Sequence, residues 1–473
     1  MNFLFFKLAD EYTLPGILNY APVRTSVYPP LGLLYIAAVL EHQGHTVRII
    51  DLGMEPLTQD LLETSLHDVD AVGISVFSKN YQQAAVLAKT IKDIDPSLPL
   101  ILGGPHCITH KEHSLTHIPT ADIVVEGDGE GTMPVLVEAL NGTTPLSTVP
   151  GISYRTTAGA IEHGAKATMV EDLDTLPFPA RHLVAHYHYG KFPWAWKQTT
   201  QFTSMITSRG CPYRCRFCAR HSNLIDGYRY RQRSAEKVVE ELETLQGKYK
   251  TIAIVDDNFL QNTKRAHAIF DRILERGLDF DFRIIGARVD SAEPSLFHKM
   301  RKAGVKYINF GIESGAQAIL DYYRKHITLD QIRTAVKLAA HEGMFVEATF
   351  ILGAPIETPE MIKESIRFIH TIPLDNIIIR PLVYEIGDDL WYEAVNQGKI
   401  APDEWLVNAD SRRGLGYFTP NELNVFIDQA YRRFYLKPRY SLHELRQVLL
   451  FKDIDRLKNM LKLTSAIKLK DLV

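Results

Sequence analysis

Short apolar runs alternate with helical patterns along most of this chain, and the alternation restricts the fold more than any other feature. In the first part the runs fall at 3–8, 47–52, 71–76, 98–104 and 122–127. From residue 202 a strand–helix unit recurs six times, with strands near 202–208, 251–256, 281–287, 306–312, 345–351 and 376–381. Strands rich in Val and Ile that are separated by helices form parallel sheets. Such sheets bind ligands beyond the carboxyl ends of their strands.

The two alternations also indicate a domain organisation. Residues 1–141 are predicted to form one α/β domain with a doubly wound parallel sheet, and residues 201–382 a second α/β domain. Residues 142–200 lose the rhythm and contain turn-rich pieces, so they are predicted to be a linker. Residues 383–473 carry helical patterns and are predicted to form a C-terminal helical region that covers the substrate.

Three of the four cysteines occur together on a short segment rich in Gly, Pro and Arg. Cys211, Cys215 and Cys218 have the spacing C-x3-C-x2-C, whereas Cys107 lies about a hundred residues upstream. Three thiolates on one loop can hold three irons of a [4Fe–4S] cluster and leave the fourth iron open to another molecule. A structural zinc site usually needs four ligands in paired spacings, so zinc is the weaker alternative, as is chance clustering.

This segment follows a strand and has an aromatic residue, Phe217, just before the third cysteine, and in this it resembles the radical S-adenosylmethionine (SAM) enzymes. The resemblance implies that the second α/β domain is a partial (βα)6 barrel. It also implies that SAM binds the open iron and is cleaved to a 5′-deoxyadenosyl radical by an electron that a flavodoxin- or ferredoxin-type partner supplies. The cofactor carries this chemistry, and the protein places and shields it.

The same resemblance implies roles for side chains at the carboxyl ends of the barrel strands, where such barrels hold their chemistry. Asp256 and Asp257 would meet the SAM ammonium, since carboxylates that end an apolar strand need partners. The alternative is that Asp257 or Asn258 caps the next helix. Arg288 would meet the SAM carboxylate through paired N–H bonds. Glu313 would bind the ribose, and Gly353 would approach the adenine. All the remaining residues expected at SAM are Phe217, Glu313, Ser314, Gly353 and Pro355.

The glycine-rich loops of the first domain resemble those of the cobalamin-binding domain that precedes some radical SAM domains. The resemblance implies a flavodoxin-like fold and a cobalamin site at Tyr28, Pro30, Leu31, Ser75, Val76, Gly103, Gly104, His106, Glu126, Gly127 and Gly129. One departure concerns cobalt ligation. Cobalamin domains of the methionine-synthase type carry a cobalt-ligating histidine in Asp-x-His-x-x-Gly, and here the matching strand ends Asp51-Leu52-Gly53-Met54. We therefore expect either cobalamin without that ligand or a domain that has lost cobalamin.

A second feature of the first domain is a histidine-rich stretch that contains His106, His110, His113 and His117. A second metal site is one interpretation. The favoured one is a polar, partly solvated helix face, with His106 set apart because it belongs to the glycine loop at the expected ligand site.

The whole chain thus resembles a cobalamin-dependent radical SAM enzyme, and methylation of an unactivated carbon is the leading hypothesis. The alternative is oxidative cyclisation or carbon–carbon coupling of a tetrapyrrole or lipid-type substrate. A net charge of −3 gives no general attraction for nucleic acid, and the cysteine content suits a reducing cytoplasm. No apolar run is long enough to span a bilayer. The C-terminal helices are expected to cover the open side of the barrel or, alternatively, to rest on a membrane surface.

Overall fold

A computed structural model of the 473-residue chain describes residues 1–12, 23–25, 27–191, 201–219, 224–225, 228–451, 454, 457–458 and 460–461. Residues 192–200 of the predicted linker and 462–473 of the predicted helical region lie outside this set. The chain divides into two compact units. The N-terminal unit comprises Met1–Tyr12, Val23–Tyr189 and His221–Arg231, and the C-terminal unit comprises Thr13–Pro22, Gly190–Arg220 and Gln232–Val473.

The N-terminal unit is built on a seven-stranded sheet. Its strands and helices are β1 Asn2–Lys7, β2 Asp10–Tyr12, β3 Val23–Thr25, α1 Leu31–His42, β4 Thr46–Asp51, α2 Gln59–Leu66, β5 Ala71–Ser75, α3 Tyr81–Ile94, β6 Leu100–Gly103, α4 Pro105–His110, α5 His113–His117, β7 Ile123–Val125, α6 Gly129–Leu140, β8 Ile152–Arg155 and β9 Ile161–His163. The sheet order is β4-β1-β5-β6-β7-β8-β9, and its first five strands are parallel. This is the flavodoxin-like order, which confirms the predicted fold class.

The N-terminal sheet has two further features, a reversal of strand order and an antiparallel extension. The strand order reverses between β1 and β5, and doubly wound sheets bind ligands beyond the carboxyl ends at such a point. The antiparallel strands β8 and β9 extend the sheet beyond β7. They come from the segment predicted to be a linker, and they lie within the N-terminal unit.

The C-terminal unit is built on six parallel strands. Its elements, with the two-residue strand at which the chain passes between units, are β10 Phe202–Met205, β11 Ser208–Arg209, β12 Arg231–Gln232, α7 Ala235–Leu245, β13 Thr251–Ile254, α8 Thr263–Glu275, β14 Asp281–Ala287, α9 Pro294–Lys302, β15 Val305–Glu313, α10 Gln317–Tyr322, α11 Leu329–His341, β16 Phe345–Leu352, α12 Pro359–Ile369, β17 Asn376–Pro381, β18 Val383–Glu385, α13 Asp389–Asn396, β19 Leu406–Asn408, α14 Pro420–Tyr435 and α15 Pro438–Phe451. The sheet order β10-β13-β14-β15-β16-β17 follows the chain, as the predicted partial (βα)6 barrel requires.

Local sequence explains where the barrel helices begin. Side chains of Ser234, Asn262, Thr328 and Thr358 accept hydrogen bonds from the first turns of α7, α8, α11 and α12. These caps satisfy amide donors that a helix leaves unpaired at its start. Strands β13, β14 and β16 therefore lead into their helices through short loops, whereas the segment between β10 and α7 is long and contains the three cysteines.

The edge strand β17 is covered by helix α14. The amides of Ile377 and Ile379 donate to the hydroxyls of Tyr435 and Tyr431, at 3.5 and 3.0 Å. An exposed strand edge can pair with another chain, and the cover of α14 prevents such pairing.

Among the described residues, no helix has the length and apolar character needed to cross a bilayer.

Candidate functional site

The cysteine segment follows β11 and is anchored by the backbone. Gly210 has φ +82°, a conformation that favours glycine, and its amide donates to the Asp257 carboxylate at 2.9 Å. The amide of Arg216 donates to the Tyr323 carbonyl oxygen at 3.0 Å, and that of Cys218 donates to the Cys215 carbonyl oxygen at 3.2 Å. The loop is therefore held by β13 on one side and by the end of α10 on the other.

The three thiols form a group in which Cys215 is buried, Cys211 is half-buried and Cys218 is exposed. Burial, and then the charges of Asp257 and Cys215, raise the pKa of the Cys211 thiol. Three thiols grouped on one loop fit an iron–sulfur cluster that leaves one iron without a protein ligand.

The two carboxylates after β13 face the first strand and the cysteine loop. Buried Asp256 accepts hydrogen bonds from the Thr207 amide at 2.6 Å, the Thr207 hydroxyl at 2.5 Å and the Ser208 hydroxyl at 2.7 Å. Burial raises the Asp256 pKa, although these three bonds oppose the shift. Asp257 is exposed and bonds only to Gly210 in the described structure. Asp256 thus ties two strands together, and Asp257 is the carboxylate with oxygen atoms still open to a ligand.

We predict that Asp256→Asn destabilises the C-terminal unit by about 1.5–3 kcal/mol, because an amide cannot accept from all three donors and hydrogen bonds to a charged group carry about this much. Asp257→Asn, which affects one bond on an exposed group, is the matched comparison and should cost less than about 1 kcal/mol. Urea unfolding of both variants measures the difference. A larger loss for Asp257→Asn would contradict the assigned anchoring role of Asp256.

Arg288, after β14, is held on several sides. Its guanidinium bonds to the Asp290 carboxylate at 2.7 and 3.0 Å and to the Lys325 carbonyl oxygen at 2.8 Å. It also lies 3.5 Å from the centre of the Tyr213 ring. The hydrogen bonds to Asp290 and Lys325 use its Nε and Nη2 groups, so its Nη1 group can still meet an anionic ligand.

The fourth strand ends in a strained and buried ion pair. Glu313 has φ +71°, and the β15–β16 register shifts between Gly311 and Glu313. Its carboxylate accepts from the Lys325 ammonium at 2.9 Å. Lys325 itself lies between Arg324 and His326, whose φ angles are +51° and +54°. Non-glycine residues held in this left-handed region are costly and occur where the surrounding structure enforces them, often at functional sites.

Ser314 does not face an open space. Its hydroxyl is fully buried, lies 3.0 Å from the Ser365 hydroxyl and accepts from the Ala316 amide at 3.1 Å. The side chain therefore shapes the turn that leads into α10.

The fifth strand ends in a bare backbone. Gly353 has φ +101°, and a side chain there would lie 2.8 Å from the Leu423 side chain. Its amide donates at 2.6 Å to Glu357, a fully buried carboxylate. Pro355 is half-buried two residues further on. The Gly353 conformation thus lets the strand end pack closely against Leu423 of α14.

The loops of the N-terminal unit predicted to bind cobalamin all lie at one edge of the sheet. They precede α1 or follow β5, β6 and β7. Gly103 has open space around its Cα, whereas Gly104, at φ +97°, packs against Val76, whose carbonyl oxygen would lie 2.9 Å from an added Cβ. The Glu126 carboxylate accepts from the Ser153 hydroxyl. At this edge the backbone of Gly103 is thus open to a ligand, whereas the adjacent Gly104 is packed against Val76.

Two family models match the chain over these same regions. Residues 205–369 match the radical SAM superfamily, and residues 20–137 match the B12 binding domain. An uncharacterised methyltransferase of Pyrococcus horikoshii is 32% identical over 423 residues, which cover 88% of this chain and 90% of the relative. The chain belongs to the radical SAM enzymes that carry a B12-binding domain.

Further comparisons agree with this assignment. Cytidylyl-2-hydroxyethylphosphonate methyltransferase of Streptomyces wedmorensis is 28% identical over 82% of this chain and 81% of its own length. The solved structure of OxsB, a cobalamin-dependent SAM radical enzyme with aqua-cobalamin and SAM bound, superposes with a TM-score of 0.70 at 18% identity. It covers 97% of this chain and 72% of that one. At this identity the likeness to OxsB shows the fold.

Family membership supports the three expected cofactors of this radical SAM enzyme: a [4Fe–4S] cluster, SAM and cobalamin. The cysteine loop fits the first, since three thiols are grouped on a loop beside the cations Arg288 and Lys325. The end of β4 is the position at which methionine-synthase-type domains carry the cobalt-ligating histidine. Asp51, at the end of β4, is buried, accepts from the Gly53 amide at 3.0 Å and lies 3.8 Å from the Lys7 ammonium. That strand end offers no histidine to cobalt.

The histidine-rich stretch differs from the expected solvated helix face. His106 and His110 are buried, their rings lie 4.3 Å apart, and His106 Nε2 lies 3.2 Å from His117 Nδ1. Lys111, at φ +48°, breaks the predicted helix in two, so His117 folds back onto His106. Burial and mutual repulsion lower the pKa values of His106, His110 and His117 to about 3, 4 and 4. These three histidines are neutral at pH 7, and the ring of His106 is turned into this cluster.

Four residues beside the cysteine loop and the strand ends were not predicted: Tyr213, Asp290, Lys325 and Glu357. Asp290 could have been predicted, because it lies two residues after Arg288 and has the opposite charge. The only sequence signal for Lys325 is the basic tripeptide Arg324-Lys325-His326 ahead of α11. Glu357 offered no signal beyond a carboxylate four residues after a glycine turn.

We predict an unusual pH dependence from Glu357, whose pKa burial raises to about 7. The unfolded value lies near 4.5, so the folded state holds this proton more tightly and stability falls as pH rises from about 4.5 to about 7. Glu357→Gln removes this dependence, and its stability relative to the parent should improve across that window. The exposed Glu364→Gln should show no such trend. Urea unfolding at several pH values provides the measurement, and a relative stability that declines toward pH 7 would contradict the prediction.

Proposed function

We propose that this enzyme methylates an unactivated carbon of an organic substrate. The observation that carries the proposal is the presence, in one chain, of a three-thiol loop ringed by SAM-type strand ends and of a B12-binding domain. When bound, the cluster supplies an electron that cleaves SAM to a 5′-deoxyadenosyl radical, and cobalamin supplies a carrier for the methyl group.

The residues of the C-terminal unit would bind and orient SAM. Cys211, Cys215 and Cys218 would hold the cluster. Asp257 is exposed next to the loop and would accept from the SAM ammonium, while the Nη1 group of Arg288 would donate to the SAM carboxylate. This division differs from the sequence-based hypothesis in one respect, because the Asp256 carboxylate already accepts three hydrogen bonds.

The apolar wall beside the loop would limit access of water. The Phe217 ring packs edge-on against Tyr323, with ring centres 4.8 Å apart, and the Lys325 ammonium lies 5.7 Å from the Phe217 ring centre. Tyr323 is fully buried. A radical intermediate needs such shielding, since excluded solvent suppresses side reactions.

The test is anaerobic reconstitution with SAM that carries a labelled methyl group, followed by tracing of the label into small-molecule extracts. The proposal expects a labelled product that is heavier than its substrate by one methylene unit and whose formation requires added cobalamin. A product that has lost hydrogen or gained oxygen, with no label, would instead favour cyclisation or coupling. If the reconstituted protein binds no cobalamin, the proposal of methyl transfer is wrong.

We also propose that the reductant is a protein of the flavodoxin or ferredoxin type and that the substrate is a small molecule. Replacing a chemical reductant by reduced flavodoxin or ferredoxin should sustain formation of 5′-deoxyadenosine over several turnovers. If only the chemical reductant works, this partner class is wrong.

A further inference from the structure

Helix α15 has an inverted distribution of side chains. Its inner face buries Tyr440, Glu444 and Gln447. Its outer face carries Leu442, Leu445, Leu449 and Leu450, which are 66%, 42%, 81% and 60% exposed. A helix on the surface of a soluble domain normally turns its apolar residues toward the core. The reverse arrangement indicates that an apolar phase or partner covers the outer face.

Exposed apolar side chains are concentrated in this part of the chain. Of the fifteen large hydrophobic side chains that are exposed among the described residues, seven lie from Leu436 to Leu461. Scattered single leucines are ordinary on a protein surface, but a contiguous group marks an interaction site. Leu442, Leu445 and Leu449 share one helix face because they are spaced by three and four residues.

Cations surround this apolar face. Lys437, Arg439 and Arg446 are exposed, and none of them has an ion-pair partner in the described part of the chain. On the barrel helix α8, by contrast, Arg272 and Arg276 both pair with Glu236. With His370, His443 and Leu442, the three unpaired cations line a cavity of about 320 Å³. The cavity has the charge and the size for a phosphate group.

The surrounding sequence has the same sign of charge. Residues 437–473 contain nine Lys or Arg and four Asp or Glu, whereas the whole chain has a net charge of −3. Leucines that alternate with basic residues suit the boundary of an anionic bilayer, where acyl chains take the leucines and phosphates take the cations. A two-fold contact between two copies would bring the cations against one another. Nucleic acid would leave the leucines exposed to water.

We infer that the outer face of α15, together with the cavity lined by Lys437, Arg439 and Arg446, docks the enzyme onto a membrane surface that contains anionic phospholipid. The leucines enter the headgroup boundary, and the cavity receives a lipid phosphate. The inference is independent of the reaction proposed above, because it concerns a surface formed by α12, α14 and α15 at the amino end of β17, away from the strand ends that carry the cysteine loop.

The test is co-sedimentation of the full-length reconstituted enzyme with vesicles of phosphatidylcholine alone or with about one third phosphatidylglycerol. We expect binding to the anionic vesicles, weakening as salt rises. A variant with Lys437→Gln, Arg439→Gln and Arg446→Gln should bind roughly 100-fold more weakly, since each cation near an anionic surface contributes roughly fivefold. A Leu445→Gln/Leu449→Gln variant should also lose most binding.

Two matched variants serve as controls. Lys264→Gln/Lys302→Gln/Lys337→Gln removes three exposed charges from barrel helices, and Leu274→Gln/Leu406→Gln removes two exposed apolar side chains from elements outside this surface. Both should bind like the parent. Equal loss in these controls, equal binding to neutral vesicles, or no binding by the parent would overturn the inference. The inference would also be overturned if the protein bound inorganic phosphate but no vesicles. The same holds if it formed a dimer that the α15 variants dissociate and did not bind vesicles.

Discussion

Replacing Cys215 by alanine is expected to abolish the formation of 5′-deoxyadenosine from SAM and to lower the iron content of the reconstituted enzyme. Cys215 is the buried member of the three thiols, and its two partners lie on the same loop. With two thiolates left, the loop cannot hold three irons, so the cluster loses its protein anchor. The measurements are iron per chain, the visible absorbance of the cluster and 5′-deoxyadenosine by mass spectrometry.

The matched control is Cys107→Ala. Cys107 is buried in the core of the N-terminal unit, where burial raises the pKa of its thiol far above the usual range. Buried, protonated cysteines behave as small apolar residues, so this variant should keep its iron and its SAM cleavage. A Cys215→Ala enzyme that retains both the chromophore and SAM cleavage would disprove the assignment of the cluster to this loop.

The sequence predicted the two sheets because their strands carry strong local signals. Runs such as β5 and β6 are short and apolar, and barrel helices such as α7 begin at side chains that cap them. The flavodoxin-like order and the chain-ordered barrel then follow from the right-handed crossovers that parallel strands need. The candidate SAM residues were placed at strand ends for the same reason.

Contacts between distant segments were not predictable in this way. Lys325 lies beside the cysteine loop because its two neighbours, Arg324 and His326, adopt left-handed backbone conformations that local sequence preferences disfavour. The burial of His110 depends on the single turn at Lys111. Asp256 was expected to face a ligand, and its bonds to Thr207 and Ser208 depend on how β10 and β13 pair. In each case tertiary packing decides the outcome.

The Glu313–Lys325 pair should show a large coupling energy. Both side chains are less than a tenth exposed, and the ammonium lies 2.9 Å from the carboxylate. Burial lowers the Lys325 pKa, but the charges of Glu313 and Cys215 outweigh it and raise the pKa overall. Lys325→Met leaves a buried carboxylate without its cation, and Glu313→Gln leaves a buried ammonium. Each is expected to destabilise the C-terminal unit by about 3–5 kcal/mol.

The double variant Glu313→Gln/Lys325→Met should recover most of that loss, because it removes both buried charges together. All four tryptophans follow residue 190 in the sequence, so their fluorescence in urea reports mainly on this unit before the cluster is added. The partly exposed pair Glu236–Arg272 is the matched control, and Glu236→Gln should change the free energy of unfolding far less. Additive losses in the double variant would show that Glu313 and Lys325 do not stabilise each other. The strained backbone at Glu313 would then have to be explained by a contact with a bound ligand.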